Sequence, residues 1–289
     1  MVKVSICIPT YNQTDFLEKN LDSICAQSFR DFEVVVSDDS SDQRVEELVT
    51  RKLKNSGIAY TYHHNSVSLG SPANWNKAVS MASGAYIKIM HHDDWFSTEK
   101  SLAAFVTAFD NHAQSDFVFC DSLILNVQEN KYHTHQINPD FLKALPHDAM
   151  LLFNNNQIGS PTAVMYRANA VQFDEKLSYL VDVDFYLQCL QKNTRLAHVA
   201  EALIVNTSNH AAQVTARSIN QTTQIGEYCY LYQKWMGGHV PKKKWRVFFR
   251  DLFAWYGLKN FEEITTHGYP IPEPRWCFNL LLFQSRLKK

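Results

Sequence analysis

The sequence predicts an α/β fold with a mainly parallel central sheet, followed by a helical C-terminal extension. Three observations carry this. Short apolar runs alternate with amphipathic helical stretches through the first half of the chain. Four of those runs end in polar clusters: PTYN (9–12), SDDSSD (37–42), HHN (63–65) and HHDD (91–94). From about residue 216 the chain turns helical, basic and aromatic. Strand–helix alternation implies right-handed crossovers and a parallel sheet covered on both faces. Ligands in such sheets bind beyond the carboxyl ends of the strands, where the four clusters fall.

The elements follow in order. VSICI (Val4–Ile8) is a short, β-branched apolar run and reads as a buried strand. TDFLEKNLDSICAQ places Phe16, Leu17, Leu21, Ile24 and Cys25 on one helical face, with Thr14 or Asp15 as N-cap. FEVVVSDDSSD is a second strand ending in an acidic turn, and DQRVEELVTRKLK a second helix. IAYTYHH is a third strand. SPANWNKAVSMAS is a third helix with Pro72 near its first turn. GAYIKIM is a fourth strand running into HHDDW, and TEKSLAAFVTAFDNH a helix. After Asp116 the pattern loosens. DFVFCDSLILNV is a longer strand, and QIGSPTAVMYR a Gly-Pro turn into a strand. SYLVDVDFYLQCLQ is a helix with two acids at its start, and ALIVNTSNHAAQVT a strand leading into a polar loop. The expected organisation is one domain over 1–215, with halves 1–115 and 116–215, and an extension over 216–289.

Composition narrows the class. A chain of 289 residues, 45% hydrophobic and 20% charged, suits a soluble globular protein of one large domain or two small ones. No apolar run is long enough to span a bilayer. MVKVSICIPTYN has no small-residue cleavage site, so no signal peptide is expected. Cys7, Cys25, Cys120, Cys189, Cys229 and Cys277 form no CxxC pair and read as reduced, mostly buried cytoplasmic thiols. Net charge is −1 but unevenly placed: 11 Lys/Arg against 4 Asp/Glu from Leu231 onward, on an otherwise acidic chain.

Each polar cluster has two readings. Asp38 and Asp39 project over the sheet rim, where a carboxylate can accept from a nucleobase or ribose; they can equally form an Asx turn or a helix cap. Asp93 and Asp94 beside two imidazoles can bind a divalent cation, Mg²⁺ or Mn²⁺ by ligand type; Asp94 can instead cap the next helix. HHDD lacks the spacing of a hydrolytic zinc site. Asp182 and Asp184 suit the positive end of a helix, and a carboxylate in a cleft can also be a general base.

As an ordered set these motifs resemble the family-2 inverting glycosyltransferases with the GT-A fold, of the bacterial surface-polysaccharide type. VSICIPTYNQTDFLEKNLDSICAQSFRDFEVVVSDDSSD is similar to that family's opening. NSVSLGSPANWNKAVSMASGAYIKIMHHDDW resembles its next block, and GSPTAVMYR with LVDVDFYLQCL its acceptor side. The resemblance covers about residues 1–215. It implies that Pro9, Thr10 and Tyr11 pack around the base, that Asp39 holds it, and that Asp38 lies near the ribose or supports the turn, with Asn76 and His92 also in the nucleotide site. It implies Asp93 as a metal ligand with His91 and His210, and Asp94, Trp95, Gly159 and Ser160 in the donor/acceptor pocket. It implies Asp182, with Asp184 as runner-up, as the base that deprotonates an acceptor hydroxyl. Three departures stand out: His91 replaces the first Asp of D-x-D, Val181 a frequent Glu, and Trp75 a frequent Arg.

The function so implied is transfer of a sugar, with inversion, from a nucleotide-diphosphate sugar to a hydroxyl of a saccharide or lipid-linked acceptor. UDP is the favoured nucleotide, and the sugar is of the hexosyl or N-acetylhexosaminyl type. The alternative is a catalytically inactive relative that binds nucleotide or saccharide, or scaffolds a partner. A sugar-phosphate nucleotidyltransferase would need a G-x-G-T-R-type loop, which PTYNQTD lacks. KKKWRVFFRDLFAWYGLK (242–259) is basic, aromatic and amphipathic, suited to an anionic membrane surface or to packing on protein. The expected location is cytoplasmic, at the inner face of the membrane. Homo-oligomers are compatible with the sequence, and no nucleic-acid module is present.

Overall fold

A computed structural model describes residues 2–168, 171–210, 220–237 and 239–287. The chain divides into two compact units, residues 1–175 with 181–213, and residues 176–180 with 214–289.

The first unit is built on a nine-stranded sheet. Its first half alternates β1 (Val4–Thr10), α1 (Asp15–Cys25), β2 (Phe32–Asp38), α2 (Arg44–Leu53), β3 (Ala59–His64), α3 (Ala73–Ser80) and β4 (Tyr86–Ile89). These strands lie parallel in the order β3-β2-β1-β4. Every residue of β1 and β4 is buried, Ser5 and Lys88 included, and the rest of both strands is largely apolar. The edge strand β3 alternates exposed and partly buried positions along most of its length. Gly84 precedes β4 because nothing larger fits: a Cβ there would lie 2.6 Å from the Ser5 backbone nitrogen.

The second half comprises β5 (Trp95–Phe96), α4 (Ser101–Asn111), β6 (Phe117–Asn126), β7 (Lys131–His135), α5 (Pro139–Ala144), α6 (Leu151–Asn154), β8 (Val164–Arg167), α7 (Val181–Lys192) and β9 (Leu196–Ser208). Here the sheet is mixed. β8 runs antiparallel to both β4 and β6, β7 antiparallel to β6, and β5 antiparallel to β9. β6 and β9 are parallel, and the bulge near Asp121 shifts their register. The all-parallel arrangement therefore ends at β4, although β6 and β9 form a further parallel pair. The core fills with Ile6, Ile8, Val34, Val36, Phe105, Phe109 and Val118 among others.

The second unit contains α8 (Gln221–Met236), α9 (Lys243–Tyr256), α10 (Glu262–Thr265) and α11 (Arg275–Arg286). Its core is aromatic: the Phe249 ring meets Tyr232 at 5.2 Å and Phe278 at 5.0 Å. Trp245, Phe249 and Phe253, the aromatic stripe of the 242–259 segment, are buried in that core. Glu227 is fully buried, and its carboxylate accepts from the amides of Ser178, Tyr179 and Leu180 and from the Ser178 hydroxyl. All six cysteines are free thiols, and only Cys25 is not fully buried. No described helix is long and apolar enough to cross a membrane.

Candidate active site

HHDD leaves the sheet at the end of β4 and turns back into β5. Asn20, buried on the apolar face of α1, pins this turn by donating to the His91 carbonyl at 2.9 Å and the Asp94 carbonyl at 2.7 Å. The turn gathers one ligand atom each from His91, Asp93 and Asp94 within 4.8 Å of one another.

Each member has a defined state. Asp94 does not cap α4; its carboxylate accepts the Thr207 amide at 3.1 Å and the Asn206 side chain at 2.8 Å, tying the turn to the end of β9. Burial, then the charge of Asp93, hold its pKa well above the usual carboxylate range. Burial also works to raise Asp93, but the His210 hydrogen bond and the nearby His92 and His91 outweigh it and hold Asp93 low. The His210 Nε2 lies 3.1 Å from Asp93 Oδ2 and 3.0 Å from the Thr207 hydroxyl. Of the 209–215 loop, only Asn209 and His210 fall among the described residues. Burial pushes the His91 imidazole down to about 4, so it is neutral at pH 7. The Trp75 ring lies 4.5 Å from it.

This donor set fits a divalent cation. Two carboxylates and one neutral imidazole suit Mn²⁺, and the oxygens suit Mg²⁺. The buried atoms His91 Nε2, His92 Nε2, His210 Nδ1 and Thr10 Oγ1 have no hydrogen-bond partner. Buried polar groups ordinarily find one, so these point to a ligand or ion.

The Asp38–Asp39 rim is different. Asp38 accepts from the amide and hydroxyl of Ser40 at 2.9 and 2.5 Å, and from the Tyr62 hydroxyl at 2.7 Å. This is the Asx-turn arrangement. Asp39 accepts from Asn65 at 2.8 Å, the Leu69 amide at 3.1 Å and the Gly70 amide at 2.8 Å. Asn65 also donates to Asn74, whose own amide reaches the Thr10 carbonyl at 3.2 Å. Pro9 is buried, Tyr11 stands 44% exposed on this rim, and His92 Nδ1 lies 3.4 Å from the Pro9 carbonyl. Asn76 is not gathered here; it bonds the Phe173 backbone and Glu175.

On the opposite side, Gly159 takes φ = 94°, a backbone conformation that favours glycine, and leads into the Ser160–Pro161 turn. The Asn156 side chain donates to the Gly159 carbonyl at 3.0 Å and to Asp182 Oδ2 at 2.7 Å. Asn206 donates to both Ser160 Oγ at 2.9 Å and Asp94. A chain of contacts therefore links Asp182, through Asn156, the 159–160 segment and Asn206, to the His–Asp–Asp cluster. Asp182 Oδ1 also accepts the Val183 amide at 2.8 Å. Asp184 is fully buried and accepts from Gln188. Trp95, half-buried in β5, lies under Lys19 with the ammonium 5.6 Å from its ring.

Four organising residues are absent from the sequence reading: Asn20, Asn156, Asn206 and Thr207. Asn20 carried a signal, a polar side chain beside Leu17, Leu21 and Ile24 on an apolar helix face. Asn156 sits in a run of asparagines with nothing to single it out.

Acids and imidazole nitrogens without partners thus gather on the rim where an α/β sheet binds its ligands, and comparison with known proteins names the class. The profile of glycosyl transferase family 2 matches residues 5–173, and the chain belongs to that family. It is 35% identical over 158 residues to the abequosyltransferase RfbV of Salmonella typhimurium, a match covering 53% of this chain and 44% of that protein. It is 25% identical to the putative colanic acid biosynthesis glycosyl transferase WcaA of Escherichia coli, over 89% of this chain and 88% of that one. Its fold matches S. aureus TarS 1–349 in complex with UDP-GlcNAc at a TM-score of 0.64 and 20% identity, over 92% of this chain and 74% of that one. A mannosyltransferase from Pyrobaculum calidifontis, solved with GDP-Man and Mn²⁺, matches at 0.54 and 16% identity, over 99% and 73%. The fold is therefore GT-A.

Proposed function

We propose that this chain transfers a sugar, with inversion, from a nucleoside-diphosphate sugar to a hydroxyl of a saccharide or lipid-linked acceptor during polysaccharide or glycolipid assembly. The observation that carries the reading is the contact chain joining Asp182 to a largely enclosed His–Asp–Asp cluster beside imidazole nitrogens without partners. Residues 1–115 form the donor half, 116–215 the acceptor half, and 216–289 the extension. UDP is the favoured nucleotide, and a hexosyl or N-acetylhexosaminyl unit the favoured sugar.

The roles follow from position. Asp39 is the base-side acceptor, Tyr11 offers its exposed ring as a stacking surface, and Pro9, Thr10 and His92 line the same rim. Asp38 shapes the turn. Asn76 supports the 171–175 segment. Asp94, Trp95, Gly159 and Ser160 border the donor and acceptor pocket. Asp93, His91 and Asp94 would hold a Mn²⁺ or Mg²⁺ ion, with His210 beside them; when bound, it supplies positive charge against the donor's diphosphate. Asp182 takes the acceptor's hydroxyl proton as that oxygen bonds to the anomeric carbon. The carbon–oxygen bond to the diphosphate breaks on the opposite face, and the nucleoside diphosphate leaves with the electron pair. Asn156 holds Asp182 in place. Asp184, buried and bonded to Gln188, is the lesser candidate. A lipid-linked acceptor places the reaction at the cytoplasmic face of a membrane, with peripheral contact through 242–259.

Calorimetric titration of UDP, dTDP and GDP, each with and without Mn²⁺, tests the reading in wild type and Asp93→Ala. Metal-dependent binding of one nucleotide, lost in the variant, is the expected result. No binding of any nucleotide would overturn the donor site. Binding without transfer to any acceptor would favour the inactive-relative reading.

A further inference from the structure

Helix α11 carries two apolar faces. Cys277, Phe278, Leu281, Leu282 and Ser285 are buried in the second unit. On the opposite side Trp276, Leu280, Phe283 and Leu287 are exposed, at 62%, 47%, 57% and 70%. Their 4-3-4 spacing, at 3.6 residues per turn, confines them to an arc of about 60° along the helix. A solvent-facing stripe of this kind serves no purpose in the unit's own core, which the other face already fills. Apolar patches of this sort mark interaction surfaces.

Charge decides what covers it. Arg275 and Arg286 flank the stripe on one side. On the other, a cleft between α9 and α11 is lined by Lys243, Arg246 and Arg250. The α11 segment contains no Asp or Glu. The one acid of α9, Asp251, is ion-paired with Arg250 at 2.8 Å, which leaves Lys243 and Arg246 as the net cations of the cleft. A second copy packed stripe to stripe would set these cations against one another. An anionic lipid surface matches them: the apolar stripe enters the boundary of headgroup and acyl chains, and the long basic side chains reach up to phosphates on both flanks.

We propose that the α11 stripe, bordered by the α9 cations, is an interfacial docking surface for anionic phospholipid membranes. This deepens the peripheral-contact reading above and rests on it. It moves the apolar contact from the 242–259 segment, whose aromatic stripe is buried, to Trp276, Leu280, Phe283 and Leu287. The α9 segment contributes charge.

Vesicle co-sedimentation of the full chain tests this, with phosphatidylcholine alone and with equal parts phosphatidylglycerol. Circular dichroism checks that each variant is folded. Wild type is expected to bind the anionic vesicles, weakly bind the neutral ones, and release as salt rises. Trp276→Ser/Phe283→Ser is expected to lower the partition coefficient at least tenfold. Trp255→Ser, which removes an 85% exposed tryptophan of α9 on another face, leaves it unchanged. If Trp255→Ser abolishes binding and the stripe variant does not, membrane contact stands but its assignment to α11 falls. If wild type ignores anionic vesicles, both fall. If light scattering shows a wild-type dimer that the stripe variant converts to monomer, a second copy is the occupant and the proposal is overturned.

Discussion

Two acidic pairs follow the ends of β2 and β4, the strands on either side of β1, and they are built on different terms. Asp38 and Asp39 are satisfied by the protein itself: amides, hydroxyls and one side-chain amide supply their hydrogen bonds. Asp93 and Asp94 also bond to protein, Asp93 to His210 and Asp94 to Thr207 and Asn206. They differ in sitting side by side, Asp94 buried and Asp93 partly so, one held low and the other high, beside imidazole nitrogens without partners. Amides and hydroxyls around the first pair fix a turn. A pair whose second charge is held only at a cost has the character of the cation site proposed above. The difference separates scaffold from chemistry more sharply than residue type does, since both pairs are Asp-Asp.

The largest effect is expected on the side of the incomplete cluster. Asp182→Asn keeps the shape and the Val183 contact but cannot take a proton. Transfer should fall by at least ~100-fold, within the range for loss of a general base. Nucleotide binding by calorimetry should stay within about twofold. Equal transfer rates in the two proteins would remove Asp182 from its role, and the same test on Asp184→Asn would then follow.

Stability should distinguish the two pairs next. In Asp39→Asn, an NH₂ group replaces one of two acceptor oxygens and faces either the Asn65 and Leu69 donors or the Gly70 amide. That strands buried donors at a cost of about 2 kcal/mol. Asp93→Asn removes a like charge from beside Asp94, so it should leave the melting temperature unchanged or raised while abolishing the rise caused by Mn²⁺. Thermal melts with and without Mn²⁺ read both. An Asp93→Asn protein destabilised as much as Asp39→Asn would mean that the second pair is scaffold too.

How much of this was legible follows the same division. Strands β1, β2 and β4 bury most or all of their residues, so each reads as a largely apolar run with a polar end. That located three of the four rim clusters; the fourth, HHN, ends the partly exposed edge strand β3. β5 has two residues and β7 is exposed along most of its length, so neither offers a hydrophobic period to read. Nor does periodicity carry direction, which is why the antiparallel pairing of β8 is invisible in GSPTAVMYR. In the site, Asp93 and His91 follow a strand and were legible. The Asp93–His210 contact spans 117 positions and exists only because β9 returns beside β5. The 242–259 stripe was seen as amphipathic, yet whether lipid or protein covers such a face depends on α8 and α11, which local sequence does not specify.

A smaller effect probes the proton on Asp94. Because its pKa is raised, a cation must displace that proton, whereas His91, at about 4, is already neutral. Mn²⁺ affinity should therefore rise with pH through neutrality, by up to about tenfold per unit for one proton released. Asp94→Asn should flatten the slope. Calorimetry in buffers of different ionisation heat counts the protons. A count of zero at pH 6.5 would show Asp94 ionised in the free protein, and the contrast with Asp39 would weaken.

The smallest effect tests what underlies the cluster. Lys88 is fully buried in β4, three residues before His91, with its ammonium 4.9 Å from the Phe105 ring. It donates to the carbonyls of Thr162, Val164 and Ile89, and so clasps the turn that carries Ser160. Burial is the main cause that lowers its pKa, to about 7. In the unfolded chain the value is 10.5. Below pH 7 both states carry the proton. Between 7 and 10.5 only the unfolded state does, so folded stability should rise with pH, by less than about 1.4 kcal/mol per unit. Asp94, held high in the fold, opposes this up to about pH 7, and the buried thiols from about pH 8, where the unfolded chain begins to ionise them; both act alike in Lys88→Met. Urea denaturation at pH 6.5, 7.5 and 8.5 should show a slope more positive in wild type than in Lys88→Met. Parallel slopes would mean that three backbone carbonyls keep the ammonium charged throughout. The incomplete cluster would then rest on a fixed positive charge, one that disfavours a second cation and makes both carboxylates necessary to bind it.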